Sequence, residues 1–487
     1  MSDIDGEVRD LAKWEQALRR GTMSRRRFLA LAAGTSTAAL LASCAGGAAD
    51  STKTRNGKKN IPFYSNENDP KTLAFYKAVI AEFTAAHPDV TVTLNSWDGT
   101  VPTTLTNLRS KTDLGVFNVG TVAAIPEWAE AGYLLPLTDL VTDVGAGDFL
   151  PGTRIVHDGD DYAMPYQANS SLLYYRRDLL DRYGLGQPKT YDELLHVVSQ
   201  LNGKDGLIGI ATVAGEGNLI PKQFLTPYVY QSGWDWFGPD GSVTFGEPEV
   251  LDGVKRYVDL LRHTQASLYN GGYADLSSAY VSGRAVFATF PGRLGINTAA
   301  QAEKVAEGTG VMGIPAGPFK TGELHHGTIT VYAVYSGTAA PDEAKAFLKL
   351  LTTGENALAM AMTAPGHILP ALRSVGERMR TTVAAATDGY LARHRDWVTT
   401  FLDRLETAMD PAVNMGAVHD HTFDGRIARV VPWGSQVWSG STVDRTMVQN
   451  ILIKGNDVTT EWRAAVDAMT RIAADWRAAN PGWTPQR

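Results

Sequence analysis

The stretch IPFYSNENDPKTLAFYKAVIAEFTAAHPDVTVTL, residues 61–94, decides the fold class. Residues 61–65 read as a short strand. Residues 71–87 then space Leu73, Phe75, Val79, Ile80 and Phe83 at helical intervals, and Pro88 stops that helix. The β-branched run VTVTL at 90–94 predicts a second strand. Strand, helix and strand in this order imply a parallel crossover unit, and so an α/β architecture. The style continues outward, with a helix over 103–110, a strand over 114–119 and a helix over 123–131 closed by Gly132. No internal repeat or low-complexity tract follows residue 59.

Upstream, AGGAADSTKTRNGKK at 45–59 is small, polar and aperiodic, which predicts a flexible tether reaching about 50 Å when extended. Before it stands SRRRFLALAAGTSTAALLASC, residues 24–44, where Arg25 and Arg26 precede an apolar run that ends at Cys44, the one cysteine of the chain. A charged start, a short apolar middle and a small-residue end describe an export signal. The run is shorter than the roughly 20 apolar residues that span a bilayer. Ser-Arg-Arg-Arg-Phe-Leu resembles a twin-arginine signal, and Leu41-Ala42-Ser43-Cys44 resembles a bacterial lipobox, which implies acylation of Cys44 and cleavage before it. An ordinary cleaved signal with a chance cysteine is the competing reading. Residues 8–20 of the long lead space Leu11, Trp14 and Leu18 as a short amphipathic helix, and Met23 is a second candidate start.

With Cys44 acylated, no thiol remains for a disulfide, a metal site or a nucleophile. The length allows two or three domains with a substantial core. A chain with 44% apolar and 20% charged residues has the composition of a soluble globular protein. The net charge is −7, and residues 44–487 hold 38 basic against 47 acidic residues, a balance that argues against nucleic-acid binding.

Several phrases then occur in a specific order: FTAAHPDV at 83–90, EAGYLLPL at 130–137, DYAMP at 161–165, YYRRDL at 174–179, PKTYDEL at 188–194, YVSGRA at 280–285, FPG at 290–292 and PDEAKAFL at 341–348. Together they resemble the extracellular solute-binding proteins of bacterial ABC importers, in the branch that includes maltose-binding protein. The resemblance runs from about residue 61 to the C-terminal helices. It implies an α/β, two-lobed periplasmic-binding-protein fold (type II) with three interlobe crossings. On this chain the implied organisation is lead and signal 1–43, tether 44–59, lobe one 60–166 and 329–371, and lobe two 167–328 and 372–487. Where the family has a Pro-Asp pair before its third strand, this chain has Gly115-Val116.

A sugar presents apolar faces to aromatic rings and a rim of hydroxyls to carboxylates, amides and backbone groups. Ligands of open α/β sheets lie beyond the carboxyl ends of the strands. The resemblance therefore directs attention to Ser65, Asn66 and Glu67 after the first strand, to Trp97 after the second, and to Gly120 and Thr121 after the third. Helix capping is the plain alternative for this first loop, and lobe cover for Trp97. The resemblance adds Asn169 and Gly327 at the crossings, Trp234 and Asp235 in a turn of lobe two, Gly292 and Arg293 after a later strand, and Trp433 and Trp438 in a late helix entrance. An arginine at 293 suits a phosphate or carboxylate through its two-pronged guanidinium, with a surface ion pair as the alternative.

No nucleophile elbow, phosphate-binding loop, complete dinucleotide fingerprint or His-Glu-x-x-His is present. His325-His326 and His419-Asp420-His421 lack the further ligands that a metal site needs. The expectation is a monomeric, lipid-anchored receptor on the outer face of the cell membrane, without cofactor or metal. It captures a carbohydrate or polyol and delivers it to ABC permease subunits. A glycerol-phosphate-type or glycerophosphodiester ligand is the alternative within the family, and an exported glycoside hydrolase the alternative outside it.

Overall fold

The computed structural model describes residues 57–119, 122–215, 220–318, 322–430, 432–438 and 442–484. Arg25, Arg26, Cys44, Gly120 and Thr121 lie outside the described residues, as does the side chain of Trp438. Among the described residues no helix is long and apolar enough to cross a membrane.

The first strand (β1, Lys59–Ser65) is followed by a helix (α1, Pro70–Ala86) and a parallel neighbour (β2, Val90–Ser96), with Phe63 opposite Leu94. Pro70 starts α1 in the first-turn position where its missing N–H costs nothing. Its inward stripe is Thr72, Tyr76, Val79 and Phe83, of which the spacing predicts Val79 and Phe83. Phe63 gathers Tyr76, Phe347 and Tyr332 at ring distances of 5.1, 5.3 and 5.6 Å. The third strand (β3, Val116–Val119) pairs parallel with β1. Gly115 just before it has φ +50°, and a Cβ there would lie 2.1 Å from the Pro62 carbonyl oxygen. Only glycine fits that approach.

The next two strands, β4 (Met164–Ser170) and β5 (Leu172–Arg176), are separated by Ser171 alone and belong to different sheets. The chain then forms β6 (Ile208–Ala211), a helix (α2, Ile220–Tyr230), β7 (Ala285–Phe290), a helix (α3, Arg293–Gln301) and β8 (Thr309–Met312). It returns through the long strand β9 (His325–Val334), and continues into β10 (Leu369–Pro370), β11 (Ala408–Met409) and a late helix (α4, Val443–Leu452). One sheet has the order β10-β4-β9-β3-β1-β2, with β11 pairing β9, and the other the order β8-β5-β7-β6. Each sheet carries its own helices, so the fold has two α/β lobes. Strands β4 and β9 run side by side where the lobes meet, with a register shift between Thr330 and Val331.

Candidate functional site

The loops after β1, β2 and β3 end on the same side of the first sheet, as parallel strands require. Their polar groups are bonded to one another. Asn118, the one polar residue in the buried run Val116–Val119, accepts at Oδ1 from the Trp97 indole N–H at 2.9 Å and from the Asn66 backbone N–H at 3.1 Å. Its amide donates in return to the Asn66 side chain. Ser65 is buried, with Oγ 3.0 Å from the Tyr76 hydroxyl, which lies 2.9 Å from that of Tyr332. The Tyr332 ring stacks on Tyr166 at 4.3 Å. Trp97 is half-buried against Tyr64 and Phe117 at 5.3 and 5.8 Å. Its indole N–H is thus taken up inside the first lobe, while part of the ring stays open.

Glu67 and Asp69 meet Arg293, which opens α3 in the second lobe. The guanidinium lies 2.5 Å from the Asp69 carboxylate and 3.6 Å from that of Glu67. Burial pushes the Glu67 carboxyl above its usual range, against the pull of Arg293, and Asp69 adds to the rise. Beside this pair the backbones touch. A Cβ on Gly292 would come within 2.2 Å of the Gly366 carbonyl carbon, so the lobes meet here glycine to glycine.

Other expected residues have structural duties. Asn169 accepts from the Thr328 N–H at 3.1 Å and so ties β4 to β9. Gly327 is a close-packing position, where a Cβ would lie 2.8 Å from the Asn169 carbonyl oxygen. Asp235 is fully buried and accepts backbone N–H groups from Trp236 at 2.6 Å and Gly416 at 3.1 Å, so it fastens two loops. Burial raises its carboxyl well above the usual range. Trp234 is half-buried, with its ring edge-on to His421 at 6.2 Å. Trp433 is the clearest correction. Its ring is fully buried among Trp483, Trp476 and Phe237 at 5.1, 5.7 and 6.0 Å, under the Arg477 guanidinium at 4.8 Å, so it is core of the second lobe. Indole rings bury the largest apolar area of any side chain, and here that outweighs a place in the cleft. Asp235 thus fastens loops and Gly327 packs strands.

Spacing in the sequence did not reveal a set of buried polar residues where the strands cross. His326 on β9, Lys222 on α2, Asp410 after β11, and Asp444 with Arg445 on α4 are all at least nine-tenths buried. Burial lowers the Lys222 ammonium pKa and raises those of the Asp410 and Asp444 carboxyls, and the charge of Lys222 opposes the rise at both. Burial also holds His326 neutral, helped by Lys222. His367, facing Arg293, is pushed by burial down to about 3. The only local hint of this kind was Asn118, a lone polar residue in an apolar strand.

The comparisons with known proteins agree with this architecture. A family model described as bacterial extracellular solute-binding protein matches residues 67–357. The mannitol-binding protein of Pseudomonas aeruginosa is 26% identical over 299 residues, which are 59% of this chain and 67% of that protein. The GacH receptor of Streptomyces glaucescens GLA.O, solved unliganded and with acarbose, superposes with a TM-score of 0.68 at 20% identity, over 86% of this chain and 99% of that one. A solute-binding protein from Agrobacterium vitis S4 with bound D-mannitol gives a TM-score of 0.64 at 20% identity, over 88% of this chain and all of that one. The match spans well over half of the sequence, and the fold is the two-lobed type II periplasmic-binding architecture. The chain belongs to the bacterial extracellular solute-binding protein family.

Proposed function

We propose that this protein is the substrate-binding component of an ABC importer and captures a sugar or polyol by lobe closure. The observation that carries the reading is the family match over residues 67–357, which includes the strand-end loops and most of the facing lobe. In this reading residues 60–166 and 329–371 form one lobe and 167–328 and 372–487 the other. Strands β4 and β9 are the hinge. The ligand contacts both lobes and thereby stabilises the closed state, and no bond is made or broken. Glu67 and the open part of the Trp97 ring offer a carboxylate and an aromatic face to a hydroxylated guest.

Similarity to a mannitol-binding protein and to a D-mannitol-bound structure supports a neutral polyol or small sugar. Arg293, one of the two motives for the phosphodiester alternative beside the aromatic loop at 234–236, is engaged by two carboxylates of the opposite lobe, which favours the neutral ligand. The order of twin arginines, apolar run and Cys44 supports export and lipid anchoring on the outer face of the membrane, as a monomer beside its permease. Calorimetric titration with D-mannitol, ribitol, maltose and acarbose tests the function, together with small-angle scattering in both states. Heat on binding and a more compact profile are expected. No heat across the panel, together with unchanged scattering, overturns the reading. Labelling with radioactive palmitate, lost in Cys44→Ala, tests the anchor.

A further inference from the structure

A cavity of about 270 Å³ opens in the second lobe, at the end of its sheet remote from the lobe crossing. Arg177, which lines it, follows the last residue of β5, whereas Leu172 at the other end of that strand follows the crossing residue Ser171. The length of the strand puts roughly 17 Å between the two places. One side of the cavity is the short helix Glu303–Glu307, which contributes both of its end residues and Ala306, beside Ala299 of α3. Arg177 and Arg393 come from two other helix ends. The rings of His394 and Trp397, stacked at 3.9 Å, line the rest.

Bonding around this space is incomplete. Among the described residues Glu303, Glu307 and Arg393 form no ion pair, although both signs of charge line one cavity. Arg177 reaches only Asp396, at 3.9 Å and with both side chains about half exposed. Asp178, next to it in sequence, is held by Arg176 at 2.6 and 2.8 Å. Glu303 and Glu307 stand four apart on one helix, so two like charges share a face without a cation between them. His394 is 6% exposed, and its ring makes no hydrogen bond among the described residues. Burial lowers its pKa against the pull of Asp396, and Arg393 and Arg177 add to the fall, so the imidazole is neutral at pH 7. A buried polar ring without a partner calls for one. The Trp397 indole N–H is taken up by the Thr309 carbonyl at 3.3 Å, so this side chain offers the cavity only apolar surface.

A simple anion would meet two glutamates here, and a simple cation two arginines. An uncharged guest would answer neither sign. A molecule carrying both charges answers both: its carboxylate suits the forked guanidinium groups, and its ammonium suits the glutamate pair and the open acceptor of His394. Ala299, Ala306 and Trp397 leave room for a short apolar side chain. The volume falls just below the range of about 300–1,000 Å³ usual for small-molecule sites, so the guest is small.

We propose that this cavity is a second ligand site, separate from the interlobe cleft, which takes a free aliphatic α-amino acid in its zwitterionic form. The assignment is independent of what the cleft captures.

The test titrates the full chain calorimetrically with L-leucine, L-leucinamide and 4-methylpentanoate, which carry both charges, the ammonium alone and the carboxylate alone. L-leucine is expected to bind, and each single-charge analogue to bind about tenfold more weakly or worse. Glu307→Gln and Arg393→Ala change exposed side chains, so both should unfold at the wild-type temperature while losing about tenfold or more in leucine affinity. In the wild type the His394 ring resonances should shift on adding leucine, a readout that needs no variant. Equal affinity for either analogue overturns the zwitterion class. Leucine binding untouched by both variants, unmoved His394 resonances at saturation, or no leucine binding at all overturns the site. Titrations with D-mannitol and maltose run alongside decide the cleft reading separately, whichever way leucine falls.

Discussion

The strand-end wall of the first lobe and the crossing strand β9 are built on opposite plans. On the wall, Asn66, Trp97 and Asn118 bond to one another, and Ser65, Tyr76 and Tyr332 carry a chain of hydroxyls into the core. On β9, His325 and His326 are buried, and none of their ring nitrogens has a hydrogen-bond partner among the described residues. The difference teaches a division of labour. A wall whose bonds are closed holds its shape, while buried imidazoles with open bonds cost stability and refuse a proton.

The largest expected effect comes from acid. His325 and His367 stay neutral in the fold down to about pH 3, whereas in the unfolded chain they titrate near 6.5. The unfolded state therefore takes up protons that the folded state refuses. Stability is full above 6.5 and falls by about 1.4 kcal/mol per pH unit for each such histidine as the pH drops toward 3. Urea unfolding at pH 7, 5.5 and 4 measures the slope, and His367→Gln should flatten it by one proton's worth. A slope unchanged in that variant would show that the histidine side of the contrast is misdrawn.

Asn118→Leu attacks the wall. It leaves the Asn66 N–H and the Trp97 indole N–H without their acceptor, and a loss of about 3 kcal/mol is expected in denaturant unfolding. A loss below about 0.5 kcal/mol, the size of an ordinary surface change, would mean that the wall's bonding matters less than its packing. Gly292→Val acts on the seam between lobes, where the new side chain meets the Gly366 backbone. Ligand affinity should fall about tenfold, or about 1.4 kcal/mol, with little change in the free protein's unfolding, and scattering should show a ligand-saturated form that no longer compacts. Arg293→Ala is the smallest. The pair with Asp69 and Glu67 is partly exposed, so its removal should shift the free protein toward the open form by about 1 kcal/mol or less, and added salt should mimic the substitution.

How much of this was legible depends on how far apart the cooperating residues lie. The strand–helix–strand opening was readable because its signals fall within one stretch: Val79 and Phe83 of α1 are buried as expected and Leu73, Phe75 and Ile80 pack against the core, while spacing missed Thr72 and Tyr76, which also turn inward, Tyr76 bonding to Ser65. Glu67 and Arg293 were each picked from a strand-end loop, and the structure brings them face to face across 226 positions of sequence. Trp433 was misassigned because an indole beside a helix start reads alike whether it faces a sugar or three other aromatic rings. His326, Lys222, Asp410 and Asp444 come from four distant segments, and no spacing rule joins them. Buried polar groups are paired by the fold, so their meaning emerges only once the strands have crossed.

The Arg293 bridge bears on the timing of capture. It spans the two lobes where they touch, at partly exposed positions, so it works as a weak, salt-sensitive catch on that arrangement. A guest held between the lobes should then stay longer with the catch than without it, and either Arg293→Ala or added salt should shorten its residence time.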